Sequence, residues 1–204
     1  MKSTMYSCAP TNAKTRLGNC RPSRKTFQNL KEIVQDYINN CSREAKEELG
    51  YFGGQRNLPT AIRVAAQSTV DCKRHPHQRR IHGDTLKAFG RALSHKSKAL
   101  RACKSFPELM NISHKVSKGF WKHSKLTVHD TTLRIGAHLG IMPDRVYLHA
   151  GVKEGAKALG LRGSHGFLMR SQLPKEFQKL KPWEIEHCLC LYKKQLKRLR
   201  FRTT

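Results

Sequence analysis

The chain has 204 residues, with 40 Lys+Arg against 14 Asp+Glu and a formal net charge of +26. A compact body carrying that much like charge repels itself, so the composition calls for a polyanionic partner, nucleic acid first and an anionic membrane surface second. It argues against an ordinary mixed-sign surface, whose net charge in a small domain has a magnitude of about 2–8, and no apolar run approaches the ~18 residues of a membrane span.

Residues 1–25 are rich in Ser, Thr, Asn, Lys and Arg, with Pro10 and Pro22, and read as a flexible basic arm. Residues 1–31 hold seven Lys/Arg and no acid. The start lacks the apolar stretch of a secretory signal; it suits either a transit peptide or an arm lying on nucleic acid. From Thr26 the positions Phe27, Leu30, Ile33, Val34, Tyr37 and Ile38 recur at helical spacing, Asn39-Asn40 weakens the helix, and Gly50 and Gly53-Gly54 mark a loop. A helix follows over Thr60 to about Thr69, with Thr60 as its cap.

The segment Lys73-Arg74-His75-Pro76-His77-Gln78-Arg79-Arg80 crowds four fixed charges and two imidazoles into a helix-breaking loop. Such a loop is suited to phosphates, which makes Lys73, Arg74, Arg79 and Arg80 candidate contacts. Asp84 caps the next helix, and Ser105-Phe106-Pro107-Glu108 starts another. Between Lys87 and Lys125 there are ten Lys/Arg and one acid, Glu108, so this stretch is the expected binding face.

Residues 126–142 form the clearest helix, ended by Gly140. Val146-Tyr147-Leu148 is a short apolar run. The helix from Gly151 to Leu159 has small residues that let another backbone approach closely, and Gly160 ends it. A Gly/Ser loop follows over 162–172, then a turn from Pro174 to Leu180. The last helix begins at Pro182 and carries six basic residues and no acid between Lys193 and Arg202. No alternating strand pattern is present. The expected fold is all-α: a single compact multi-helix domain over residues 26–204 behind the basic arm.

Seven cysteines at irregular spacing, with no C-x2-C pair, read as reduced and mostly buried thiols. Eleven histidines are scattered without repeated spacing. Phosphate-loop, dinucleotide and zinc-protease motifs are absent, so no cofactor and no metal is assigned. Phe120 and Trp121 lie among Lys118, Lys122 and Lys125; Phe120 is expected in the core and Trp121 at the surface, where an aromatic ring can stack on bases.

Residues 112–161 carry the most specific pattern: Leu126-Thr127-Val128-His129 entering a helix, Gly140 at its end, Val146-Tyr147-Leu148-His149, and Leu159-Gly160-Leu161 closing the next helix. This order resembles the helix-hairpin-helix DNA glycosylase superfamily. The resemblance implies a helix-hairpin-helix-like fold and DNA held through a hairpin over Gly119–Lys125, of which one glycine, Gly119, remains. It places Tyr147 at that family's catalytic aspartate and His129 near its lyase lysine. A phenol is no base at neutral pH and an imidazole forms Schiff bases poorly, so neither chemical role carries over. The runs Arg134–Gly140 and Tyr147–Gly151 also resemble uncharacterised bacterial proteins with an RIGAxLG…YLHAG pattern, from which no activity follows.

The expected function is a nucleic-acid-binding protein of the cytoplasm, nucleoid or an organelle. DNA ranks ahead of RNA; the nucleic-acid-binding residues are Lys73, Arg74, Arg79, Arg80, Lys118, Gly119, Lys122 and Lys125 on the phosphate backbone and Trp121 stacking on bases. The alternatives are a ribosome-associated structural protein and an enzyme on nucleic acid, with Asp130, Asp144, His129 or His149 as acid–base groups.

Overall fold

The computed structural model describes residues 20–70, 73–120 and 125–200. It is mostly helical, as the periodicity predicts. The helices are α1 (Leu30–Tyr37), α2 (Arg43–Gly53), α3 (Leu58–Gln67), α4 (Gly83–Ser94), α5 (Ser97–Ala102), α6 (Phe106–Ser117), α7 (Lys125–Leu139), α8 (Ala150–Ala158), α9 (Pro182–Leu191) and α10 (Lys193–Arg200). Two small antiparallel sheets were not expected. One pairs β1 (Thr69–Val70) with β2 (Lys73–Arg74); the other pairs β3 (Val146–Tyr147) with β4 (Phe167–Leu168). Two-residue strands are too short to show an alternation, which is why sequence periodicity misses them.

The boundaries shift for local reasons. Asn39-Asn40 does not end the first helix; the chain widens into a π-helical turn over Ile38–Ser42 and runs on as α2. Gly50 and Gly53 sit inside α2, and the loop starts only at Gly54. Asn57, not Thr60, caps α3, accepting a hydrogen bond from the Thr60 amide at 2.9 Å. The His82 side chain, not Asp84, caps α4. The last helix breaks at Tyr192 into α9 and α10.

Gly140 ends α7 as expected: its φ of 72° lets the Ile141 amide donate back to the Gly136 carbonyl at 2.9 Å. Phe120 is half-buried and meets Phe89 edge-on at 5.7 Å between ring centroids. Cys20 and Cys41 are disulfide-bonded, their Cα atoms 5.4 Å apart, unlike the reduced thiols expected. Cys103, Cys188 and Cys190 are free.

Two hydrophobic clusters hold the helices. One joins α1, both strands of the second sheet, α8, α9 and α10, around Tyr37, Val146, Leu168, Leu189 and Tyr192. The other joins α2, α3, α4, α6 and α7, around Phe52, Ile62, Phe89, Leu109 and Ile135. In the first, α8 lies directly on α9. A Cβ at Gly155 would overlap the Leu189 carbonyl, and one at Gly151 would overlap the Cys190 sulfur. This is the close backbone approach expected of the small-residue helix. The same cluster carries a buried carboxylate, Asp36, which accepts from Tyr192 Oη at 2.7 Å and from Ser23 Oγ at 2.7 Å and so ties α1 to the end of α9. Burial alone would raise its pKa; the Tyr192 and Ser23 hydrogen bonds outweigh that and hold it below the usual aspartate value.

Two outcomes follow. Gly155→Val forces α8 off α9 and lowers stability by at least the ~1–3 kcal/mol of an overpacked core. Gly50→Ala, where a Cβ meets nothing within 4 Å, instead gains up to ~1 kcal/mol of helix propensity. Urea unfolding of both variants checks the contrast. Tyr192→Phe removes a bond to a buried charge worth about 1.5–3 kcal/mol at neutral pH. Because the folded pKa of Asp36 is depressed, its stabilisation is present above the ordinary aspartate value of ~3.9 and fades as pH falls through the folded value. The gap between wild type and Tyr192→Phe therefore narrows on the acid side in a pH series of unfolding curves.

Candidate functional site

The two hydrophobic clusters meet along a seam, and a cleft of about 150 Å³ opens there. Three helices line it with residues at helical spacing. These are Glu44, Glu48 and Phe52 from α2; Leu126, His129, Asp130, Leu133 and Arg134 from α7; and Trp183, Glu186, His187 and Cys190 from α9. Spacings of three and four put each set on one helix face. His75, after β2, and His149, the residue before α8, complete the wall. Facing helices in a bundle that project carboxylates and imidazoles inward are a recurrent way of building ligand and metal sites.

At the centre stand His129, His149 and Glu186, whose ligand-type atoms all lie within 4.8 Å of one another. His129 and Glu186 are both at most 3 % exposed. Glu186 Oε2 lies 3.2 Å from His129 Nε2 and 3.7 Å from His149 Nε2. Its other oxygen, Oε1, accepts from the Tyr147 backbone N–H at 2.7 Å, which fixes the carboxylate and turns Oε2 toward the two imidazoles. Neither ring nitrogen of His129 makes a hydrogen bond of good geometry, nor does Nδ1 of His149. On the far side of the His129 ring, Nδ1 faces Asp130 Oδ1 at 3.9 Å. Asp130 is held in turn: Gln78 Nε2 donates to its Oδ2 at 2.9 Å, and Ser68 Oγ donates to Gln78 Oε1 at 3.0 Å.

Charge in the cleft is balanced locally. Burial would raise the Asp130 pKa, but the adjacent His129 imidazole and the charges of Arg134 and His149 win and keep it well below the usual range. Burial would lower the His129 pKa; the Glu186 charge and the adjacent Asp130 overcome that and raise it. Burial pushes the Tyr147 phenol up to about 12, so it remains protonated and unable to act as a base at neutral pH. Arg134 is buried on α7, its guanidinium 4.9 Å from the Phe52 ring centroid, with Nη2 3.8 Å from Glu48 and Nη1 without a hydrogen bond.

The structure sorts the expected site residues. Asp130 and His149 come together in the cleft, although they are distant in sequence. Asp144 does not join them; it is exposed and pairs with Arg145, at 2.7 and 2.8 Å. Lys73, Arg79, Arg80, Lys118, Gly119 and Lys125 are exposed. Arg74 is half-buried and donates to the Ile81 carbonyl at 3.1 Å, which closes its own loop. Trp121 and Lys122 lie outside the described residues. Sequence reasoning missed Glu186, Arg134, Glu48 and His75 as cleft residues. It also took the histidines as scattered, whereas His75, His129, His149 and His187 gather around one cavity. The only local signal was the helical spacing of Trp183, Glu186, His187 and Cys190, which puts a glutamate and a histidine on one face of a largely buried helix. Comparison with protein-family models, curated proteins and solved structures gave no match.

Replacing the fully buried Gln78 by Leu keeps the bulk and removes both polar contacts. It leaves Ser68 and Asp130 each short of a partner, so stability falls by about 1–3 kcal/mol. Denaturant unfolding of Gln78→Leu measures this.

Proposed function

We propose that the protein binds nucleic acid, DNA ahead of RNA, through its phosphates. One observation carries this reading: several acids are buried or turned into the cleft, while one face is almost wholly cationic. Asp36, Glu184 and Glu186 are buried, and Glu44, Glu48 and Asp130 are turned into the cleft. Lys87, Arg91, Lys96, Lys98, Arg101, Lys104, Lys115 and Lys118 are all exposed over α4 to the end of α6. Against them that stretch sets only Asp84 and Glu108 at the surface, and Asp84 is engaged by Lys87 at 3.1 Å. The exterior is therefore more positive than the composition alone implies, and a surface of one sign concentrates a polyanion and speeds its arrival. The helix-hairpin-helix resemblance supports placing Gly119 and the lysines around it, Lys118, Lys122 and Lys125, on the phosphate backbone; Arg79 and Arg80 form a second contact. Described residues include no helix long and apolar enough to cross a membrane, which leaves an anionic lipid surface as a peripheral competitor only.

Binding of a labelled duplex followed by fluorescence anisotropy tests the reading. With six or more phosphates contacted, affinity falls by about 10³-fold or more between about 50 and 200 mM salt. Affinity that changes little over that range removes the proposal. Arg79→Glu with Arg80→Glu, and separately Lys118→Glu with Lys125→Glu, weaken binding and flatten the salt slope; equal binding by both double variants moves the interface elsewhere. In competition, a clear preference for structured RNA over duplex DNA replaces this reading with an RNA-associated structural role.

A second reading, an enzyme acting on nucleic acid, is favoured by the meeting of Asp130 and His149 in one cleft with Glu186 and Arg134. Incubation with damaged-base, abasic and nicked substrates decides it: product that disappears in His149→Gln supports catalysis, and tight binding without product supports a pure binder.

A further inference from the structure

We infer that His129, His149 and Glu186 bind one divalent transition-metal ion, of the zinc or iron(II) class, with an open coordination position facing the cleft. The inference is independent of nucleic-acid binding.

Ligand type comes first. Two imidazoles and one carboxylate suit zinc, and the same set with open positions suits non-haem iron(II); hard ions such as magnesium and calcium prefer an all-oxygen shell. Spacing agrees. Two ligand atoms each about 2.1 Å from one ion at a tetrahedral angle lie about 3.4 Å apart. Oε2 of Glu186 lies 3.2 Å from His129 Nε2 and 3.7 Å from His149 Nε2. All three residues reach the cleft wall, so an ion between them has cavity on its fourth side. Three protein ligands with a free position are the arrangement of catalytic rather than structural zinc sites.

The surroundings are those a metal site needs. A metal-bound histidine usually presents its second nitrogen to a carboxylate, which sets the ring's tautomer and orientation. Asp130 stands behind His129 Nδ1, itself anchored by Gln78 and Ser68. Glu186 is anchored by the Tyr147 amide through the oxygen that does not face the histidines. The independent sign of a ligand is His129 itself. It is 3 % exposed, and neither ring nitrogen makes a hydrogen bond of good geometry although each faces a carboxylate, Nε2 at 3.2 Å from Glu186 and Nδ1 at 3.9 Å from Asp130. Buried polar atoms without partners are uncommon in folded proteins, and an ion is one of the standard explanations. The competing account is two imidazoles paired directly with Glu186 and no ion; metal retained through dialysis separates the two.

The test uses the full-length protein, stripped with chelator and then titrated separately with Zn²⁺, Co²⁺ and, under anaerobic conditions, Fe²⁺. Binding is read by calorimetry, by metal content after dialysis, and by the ¹⁵N shifts of the histidine rings. The expected result is one ion retained per chain, a rise in melting temperature on loading, and shifts confined to the His129 and His149 rings. Glu186→Gln keeps the oxygen that accepts from Tyr147 and loses the carboxylate charge. It and His149→Gln each weaken binding by at least ~10-fold, the scale on which even outer-shell changes act, while circular dichroism checks that both variants stay helical. The inference is overturned if no ion survives dialysis, if the shifts fall on exposed His82 or His95, or if both variants bind as the wild type does. The ring-shift measurement needs no variant, so it decides the matter even if a substitution unfolds the chain.

Discussion

The fold is organised around a carboxylate taken out of water. Glu186 sits on α9, a helix buried on almost every side, and an unpaired charge there costs several kcal/mol. Its surroundings answer that cost from three directions: the Tyr147 amide at the end of β3, His129 on α7 and His149 at the start of α8. Those elements belong to different parts of the chain, so satisfying one charge fixes the relative placement of α7, α8 and α9. Glu184, on the same helix, is met by Ser42 Oγ at 2.8 Å and by Lys46 Nζ at 3.2 Å, which brings in the start of α2. A central helix bearing two buried acids holds its neighbours in register in a way that apolar contacts, being non-directional, do not.

This arrangement also explains why the cleft lies where it does. Each hydrophobic cluster closes on itself, one around α8 and α9 and the other around α3, α4 and α7. Side chains that both clusters exclude collect at the boundary, where polar groups find partners from two sides. Binding sites often form at such boundaries, where a few polar groups converge in a largely apolar wall. His129 shows the effect: its helix, α7, packs in one cluster while its Nε2 reaches Glu186 on α9, a helix of the other, at 3.2 Å.

The distribution of charge follows from the same packing. Asp36, Glu184 and Glu186 are buried on α1 and α9, while α4 to α6 carry a run of exposed lysines and arginines against two exposed acids, Asp84 and Glu108. Interior and surface therefore have opposite characters. The cleft is a shielded pocket lined by groups of both signs, and the outer face over α4 to α6 is cationic.

Local information in the sequence determined the elements that depend on short-range physics. Helical periodicity placed α3, α4, α6, α7 and α8 within a few residues, Gly140 stopped α7 where a left-handed residue was needed, and the small side chains of α8 announced a close helix contact. Bulk charge was likewise legible, since it is a sum over composition. Caps and boundaries were less so: whether Asn57 or Thr60 caps α3 depends on which side chain reaches the first free amides, and Asn39-Asn40 lies in a π-helical turn that continues α1 into α2. The cleft was beyond reach. Its residues come from α2, α7, α9 and two loops, with no repeat to mark them, and only tertiary packing brings His129, His149 and Glu186 within a few ångströms. Sequence spacing records neighbours along one helix; a site assembled across several has no period to read.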